Sequence, residues 1–302
     1  MANNLGSAVS KFTARLDKVL EAGTATSDLN MNQNLLGEMR GNGVIEVASI
    51  AMDGLADHVR GGGFVPGGVE LSWNPYQLEF ERDREFSIDV MDDEERELLV
   101  SANVMSEFAR TKVVPEVDAI RFARLSENAG NAAYEQLTDA GAAMDALDLA
   151  EEALQDEGAQ LSDCILYCTS SYKTLIKKAQ PWRIGQGSTP NRNFDTIDDA
   201  RIRVVPKDRF SSAIDLLDGR AEGEEKGGYK LAEGALSLNF MLLSPAAAAA
   251  ITKHEKLRYF APDTNQKDDA HLWQYRLYHD LLVYQSKKGL IYASFAGAKP
   301  SN

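Results

Sequence analysis

The sequence has little of several things, and each shortage removes a class of function. Only Cys164 and Cys168 are present in 302 residues. Four residues apart in the strand-like run CILYC, they would lie roughly 13 Å from each other, too far for a disulfide. Two cysteines also fall short of a closed zinc site, so they read as buried small hydrophobes. No run approaches the length of a membrane span, and the N-terminus lacks the apolar core of a secretion signal; the expected place of synthesis and assembly is a cytoplasm, with no membrane partner. Basic residues are outnumbered, 32 Lys and Arg against 46 Asp and Glu, a formal charge of −14. A protein that grips nucleic acid by neutralising phosphates needs a clustered basic face.

The four histidines supply no chemistry by spacing. His279 precedes Asp280, but alternation in LWQYRLYHDLLVY puts His279 on one strand face with Tyr275, Leu277 and Leu281, the setting of a structural histidine. The acidic runs 92–95 and 222–225 offer carboxylates that suit a hard cation, yet neither has the spacing of a calcium loop; helix capping and a solvated loop are the better readings. YCTSS at 167–171 lacks the Gly-x-Ser-x-Gly of a nucleophile turn, and Gly61 to Gly63 lack the lysine of a phosphate loop. The expectation is no catalytic residue, no cofactor, no metal and no enzyme.

What the chain does have is a long alternating stretch at 69–90, VELSWNPYQLEFERDREFSIDV, that runs into a helix-like segment at 91–115. Val69, Leu71 and Trp73 hold odd positions; beyond Pro75 the apolar phase moves to even ones, at Leu78, Phe80, Phe86, Ile88 and Val90. That is period two with one slip, read as a bulge or bend at Pro75. The opposite face is acidic, and Arg82 and Arg84 interrupt the apolar one. Residues 44–52 are the expected antiparallel partner, with a glycine-rich tip between, giving a long hairpin of a kind that is marginal alone in water. The following helix has a capping box at Asp92 and Glu95 and an apolar stripe of Leu98, Ala102, Met105, Ala109 and Val113. Pro115 is expected to end or kink it, and the helical run at 116–128 to fold back beside it.

The rest divides by composition. Residues 1–42 read as an amphipathic helix followed by an Asn- and Gly-rich arm. A change at NAGN, 128–131, marks a domain boundary. Residues 131–243 alternate helix and strand: helices near 144–157 and 172–179, strands at 164–168, 201–205 and 238–243. After that SPAAAAAITKHEKL reads as a helix with Ser244 as N-cap and Pro245 at its first position. Aromatic strands follow at 273–284 and 290–295, placed in one sheet beside the long helix.

Two blocks carry a resemblance. FERDREFSIDVMDDEERELL with VMSEFARTKVVPEVDAIRFARL, and HEKLRYFAPDTNQKDDAHLWQYRLYHDLLVY at 254–284, are similar to the extended-loop, spine-helix and C-terminal stretches of tailed-bacteriophage major capsid proteins, the Hong Kong 97-like fold; Glu85 stands where that family often has glycine. The resemblance implies an α+β fold: an N-terminal arm (1–42), an extended hairpin loop (43–91), a spine helix opening a peripheral domain (92–130), an axial domain (131–243) and a second peripheral part (244–302). It implies a structural subunit that forms pentamers and hexamers of an icosahedral head around double-stranded DNA, in a virion. Contacts between copies are expected at Arg60, Phe64, Val65, Trp73, Arg82 and Arg84. The partners implied are further copies of the chain, a portal and a decoration protein, with DNA touched only non-specifically; since only 42 residues precede the hairpin, the expectation is a separate scaffolding protein or self-assembly without one. An encapsulin-type compartment is the neighbouring alternative, and an enzyme with a site in the axial block the more distant one.

Overall fold

The computed structural model describes residues 23–30, 39–40, 44–58, 64–90, 105–179, 184–186 and 195–299. The chain enters through a 3-10 turn, Ser27–Leu29. Three strands form the first sheet: β1 (Met39–Arg40), β2 (Val44–Met52) and β3 (Val69–Gln77), in that order. The β2–β3 pairing runs antiparallel from Val44 opposite Gln77 to Met52 opposite Val69, as alternation and the glycine-rich connection predict.

After Leu78 and Glu79 the chain starts β4 (Phe80–Asp89), which leaves the hairpin and joins a different sheet. The bulge expected at Pro75 does not form: the ladder runs through it in unbroken register, with Pro75 opposite Glu46. The apolar phase changes because the chain passes into another sheet at Leu78 and Glu79, so that β3 and β4 meet different neighbours. On β4 the odd residues are exposed and the even ones half-buried, so Phe86 and Ile88 turn inward as the pattern predicts.

The long helix is described from residue 105. A π-helical turn, Ala109–Val113, leads into α1 (Val114–Glu127) with no break in helical backbone. The expected fold-back after Pro115 does not occur. Proline lacks an amide hydrogen and crowds the carbonyl one turn back. Here it sits in the first turn of α1, directly after the wider π turn, where the Val114 amide bonds the Ala109 carbonyl, and the helix runs roughly 34 Å through it at 1.5 Å per residue. The capping box at Asp92 and Glu95 lies outside the described residues.

The chain continues through β5 (Asn131–Tyr134), α2 (Ala140–Asp156), β6 (Ile165–Cys168), α3 (Ser170–Ala179), β7 (Ile184–Gln186), β8 (Asp195–Ile197), β9 (Ala200–Val204), β10 (Ile214–Leu217), β11 (Gly228–Leu231) and β12 (Ser237–Leu243). The predicted elements of this block are all present. Asp139 caps α2 by accepting hydrogen bonds from the Gly141 and Ala142 amides.

The run 244–257, predicted as helix, instead makes a 3-10 turn, Pro245–Ala247, and most of the strand β13 (Ala248–Phe260). Ser244 stands at the N-cap of that turn without a capping side-chain bond. An alanine run prefers helix by only tenths of a kcal/mol per residue. That preference yields to the antiparallel ladder that β13 makes with β14 (Ala270–Val283), from Ala248 opposite Val283 to Phe260 opposite Leu272.

The last strand, β15 (Ile291–Ala296), also departs from expectation. Rather than lying with β14, it inserts between β5 and β12 in a seven-stranded sheet of order β5-β15-β12-β6-β9-β8-β7. Both faces of that sheet are covered, which is why its central strands read as unbroken apolar runs. Leu166, Phe240 and Leu242 pack with α2 and α3, while Ile165, Tyr167, Met241 and Leu243 pack toward Phe122 and Leu125 of α1. A third sheet, β13-β14-β4, buries Leu257, Trp273, Tyr275 and Leu277 against Met105, Ala109, Val113, Val114 and Val117 of the long helix.

Candidate self-association surface

The β2–β3 arm stands apart from both cores. Val69, Leu71 and Trp73 alternate along β3 and so share a face, and that face is open: Leu71 is 54% and Trp73 52% exposed. Met52, opposite Val69 in the ladder, is exposed as well. Toward the end of the arm the apolar content continues with Leu55, Val65 and Phe64, the last 95% exposed. Large apolar side chains scattered singly over a surface need no explanation, but a run of them along one lever does.

The tip is nonetheless ordered at its neck. The Asp53 amide donates to the Gly68 carbonyl at 3.2 Å, and the Gly68 amide donates back to the Asp53 carboxylate at 2.6 Å. Beyond the neck the His58 and Phe64 rings lie 5.8 Å apart. Among the described residues, the arm meets the body at its base, where Ile45 and Leu78 pack with Ile251 and Leu282.

Of the predicted contact residues, Phe64, Val65 and Trp73 are brought onto this arm, and Arg60 lies outside the described residues. Arg82 and Arg84 make hydrogen bonds within the chain. Arg82 Nε donates to Glu116 of α1 at 2.6 Å, and its Nη2 donates to the Leu217 and Gly228 carbonyls at the ends of β10 and β11. Arg84 Nη2 donates to the Glu225 carbonyl at 3.0 Å. These bonds pin the β10–β11 hairpin over β4. Between them and the π turn a cleft of about 710 Å³ opens, walled by Phe86, Phe108, Tyr229 and Tyr275. Sequence reasoning missed Met52 and Leu55 as parts of the exposed face; the signal for Met52 was its register opposite Val69.

The groups weighed for chemistry have structural duties. His279 is buried, and burial, then the positive charges of Arg121 and Arg82, push its pKa down to about 3, so its ring is neutral. The neighbouring Asp280 carboxylate accepts from the Glu79 and Leu281 amides. Glu224 and Glu225 accept from the Asp218 and Gly223 amides of their own loop. Thr169 Oγ1 accepts from the Tyr172 amide at the start of α3. Burial raises the Cys164 thiol to about 11 and the Cys168 thiol to about 12. Asp148, Glu151 and Asp198 bring carboxylate oxygens within 4.8 Å of one another, a cluster with partners of its own. No helix among the described residues is long and apolar enough to cross a membrane.

No family model matches the sequence, and no curated protein matches it. The fold, however, recurs in solved structures. A chain from Gordonia phage Cozz superposes with a TM-score of 0.59 at 11% identity, over 92% of this chain and 87% of that one. The capsid structure of the cyanophage P-SCSP1u gives 0.57 at 10% identity, over 86% and 85%. A virus-like particle from Pyrococcus furiosus gives 0.54 at 11% identity, over 95% and 98%. At such identities the likeness is one of architecture, and by its architecture this chain has a capsid-protein fold.

Proposed function

We propose that this chain is a structural shell subunit, the major capsid protein of a tailed phage, whose copies associate as pentamers and hexamers into an icosahedral head around double-stranded DNA. The observation that carries this reading is the arm: a hairpin whose apolar residues Val69, Leu71, Trp73, Phe64 and Val65 are left exposed. Covering Phe64 and Val65 alone would contribute roughly 3–5 kcal/mol per copy at about 25 cal/mol per Å² of apolar surface. Summed over the full arm, contacts of this kind belong to the class of obligate interfaces above about 2,000 Å². The subunit's charge of −14 suits a wall that encloses DNA without gripping it.

In this reading Phe64, Val65 and Trp73, with Arg60, are the contact residues between copies, and Arg82 and Arg84 hold the subunit's own parts together. A separate scaffolding protein, a portal and a decoration protein are the further partners. Negative-stain microscopy of the purified protein tests the reading: closed particles or capsomer rings support it, and a population of monomers at every concentration contradicts it. Particles that enclose protein cargo and never DNA would move the assignment to an encapsulin-type compartment.

A further inference from the structure

The arm leaves the body at a two-residue elbow, Leu78 and Glu79, between β3 and β4. Groups of β14 and α1, together with Tyr76 of β3, hold this elbow. Asp280 of β14 is fully buried; its Oδ2 accepts from the Glu79 amide at 3.1 Å and its Oδ1 from the Leu281 amide at 2.7 Å. Arg124 of α1 stands with Nε 3.7 Å from Asp280 Oδ1, pairs with the Glu79 side chain, and lies over the Phe80 ring, 5.0 Å from its centre. The Tyr278 hydroxyl donates to the Leu78 carbonyl at 2.9 Å, and the Tyr76 hydroxyl to the Leu281 carbonyl at 3.1 Å.

Both polar groups of the peptide that joins Leu78 to Glu79, the Glu79 amide and the Leu78 carbonyl, are therefore taken by side chains of one strand of the body. Immediately outward, β3 is exposed from Val69 to Pro75. A lever exposed along its outer strand and gripped at its root has its direction set at the root. The grip is electrostatic, for a buried carboxylate is tolerated only when paired and hydrogen-bonded. Removing its charge weakens the hold on the Glu79 amide, since bonds to an ionised acceptor are roughly twice as strong as neutral ones.

We propose that Asp280 and Arg124 are positioning residues for the arm, fixing the angle at which its apolar face is presented to the next copy. Neither touches the tip; they act through Leu78 and Glu79. The consequence for assembly rests on the shell reading, whereas the angle is a property of the single subunit and is measured there.

The test is a distance measurement by pulsed electron resonance between nitroxides at Glu70→Cys on the arm and Glu152→Cys on α2, with labelled protein diluted into a large excess of unlabelled protein. Cys164 and Cys168 are buried with raised thiol pKa values and stay unlabelled at neutral pH. In the wild type one narrow distribution is expected; in Asp280→Asn it should about double in width, while a second pair within the body, Glu152→Cys with Lys207→Cys, stays unchanged. Arg124→Gln serves in place of Asp280→Asn if the latter does not fold, with the same expectation. An arm-to-body distribution of wild-type width in the folded variant overturns the proposal. If the distribution broadens but shells still form at the wild-type concentration, the positioning role stands and the shell reading of the arm falls.

Discussion

Asp53 closes the tip of the arm on Gly68 through two hydrogen bonds, one from each backbone amide, and the bond accepted by the Asp53 carboxylate is 2.6 Å long. Asp53 and Gly68 are both exposed, so the clasp shapes the tip without contributing to the core. Asp53→Ala should therefore leave the thermal midpoint of the subunit unchanged while making residues 53–68 a faster site of limited proteolysis. A single hydrogen bond to a charged group is worth about 1.5–3 kcal/mol, enough for a roughly tenfold or greater rise in cleavage rate if opening precedes cleavage. A fall of several degrees in the midpoint would show that the tip is part of the folded core after all.

Arg82 ties three elements together, β4, α1 and the β10–β11 hairpin. Replacing it by Gln leaves Glu116 without its cation and the Leu217 and Gly228 carbonyls without a donor, at a cost of about 2–4 kcal/mol. The expected outcome is a lowered midpoint in isolated subunits, read by differential scanning calorimetry at dilute concentration. Arg84→Gln, which loses one exposed bond to a loop carbonyl, should change it by less than about 1 kcal/mol. Equal midpoints for Arg82→Gln and the wild type, with a defect seen only on assembly, would return Arg82 to the interface between copies.

His279 gives the subunit a pH dependence with a definite sign. Its folded pKa, about 3, is below the ordinary value of 6.5 because burial and the guanidinium groups of Arg121 and Arg82 oppose its charge. The unfolded chain thus binds a proton that the folded one refuses. The stability this group contributes is full above pH 6.5 and is lost as pH falls from 6.5 toward 3, to the order of 3–5 kcal/mol at 1.36 kcal/mol per unit. Urea titrations at pH 7 and pH 4 should show His279→Gln losing less stability on acidification than the wild type. Parallel losses in the two proteins would contradict the assignment.

In the shell proposed above, the extended hairpin offers no lysine amine for a covalent weld between copies. A weld between copies through an isopeptide bond needs an amine on the extended hairpin, and no lysine occurs between Lys18 and Lys112. Mature particles should run as single subunits in denaturing, reducing gels; ladders of multiple mass would refute this.

How much of this was legible beforehand follows from which forces decided each element. The hairpin, the helices α2 and α3 and the strands β6, β9 and β12 were readable because local pattern and tertiary environment agree there. The strand β13 was misread as a helix because Ala248 to Ala250 carry no period of their own, and pairing with β14 outweighs their small local preference. Pro115 was misread because its cost depends on the backbone before it, and the π turn at Ala109–Val113 leaves no mark in composition. At the candidate site, Phe64, Val65 and Trp73 stood out as apolar residues in a segment with no core, but the inward use of Arg82 and Arg84 depends on Glu116 and on carbonyls near residues 217 and 228, partners too distant in sequence to be foreseen. The elbow was hidden for the same reason: Glu79 and Asp280 are 201 residues apart.

The central claim, that the arm's apolar face joins copies of this chain, is tested most directly by the concentration at which shells form, measured by light scattering for the wild type and for the double substitution Phe64→Ser, Val65→Ser. Both side chains are exposed in the subunit, so the variant should fold and remain soluble as the wild type does. Losing roughly 3–5 kcal/mol of buried apolar contact per copy should raise the threshold concentration by about 10²-fold or more. Assembly at the wild-type concentration, or an insoluble monomer, would contradict the account.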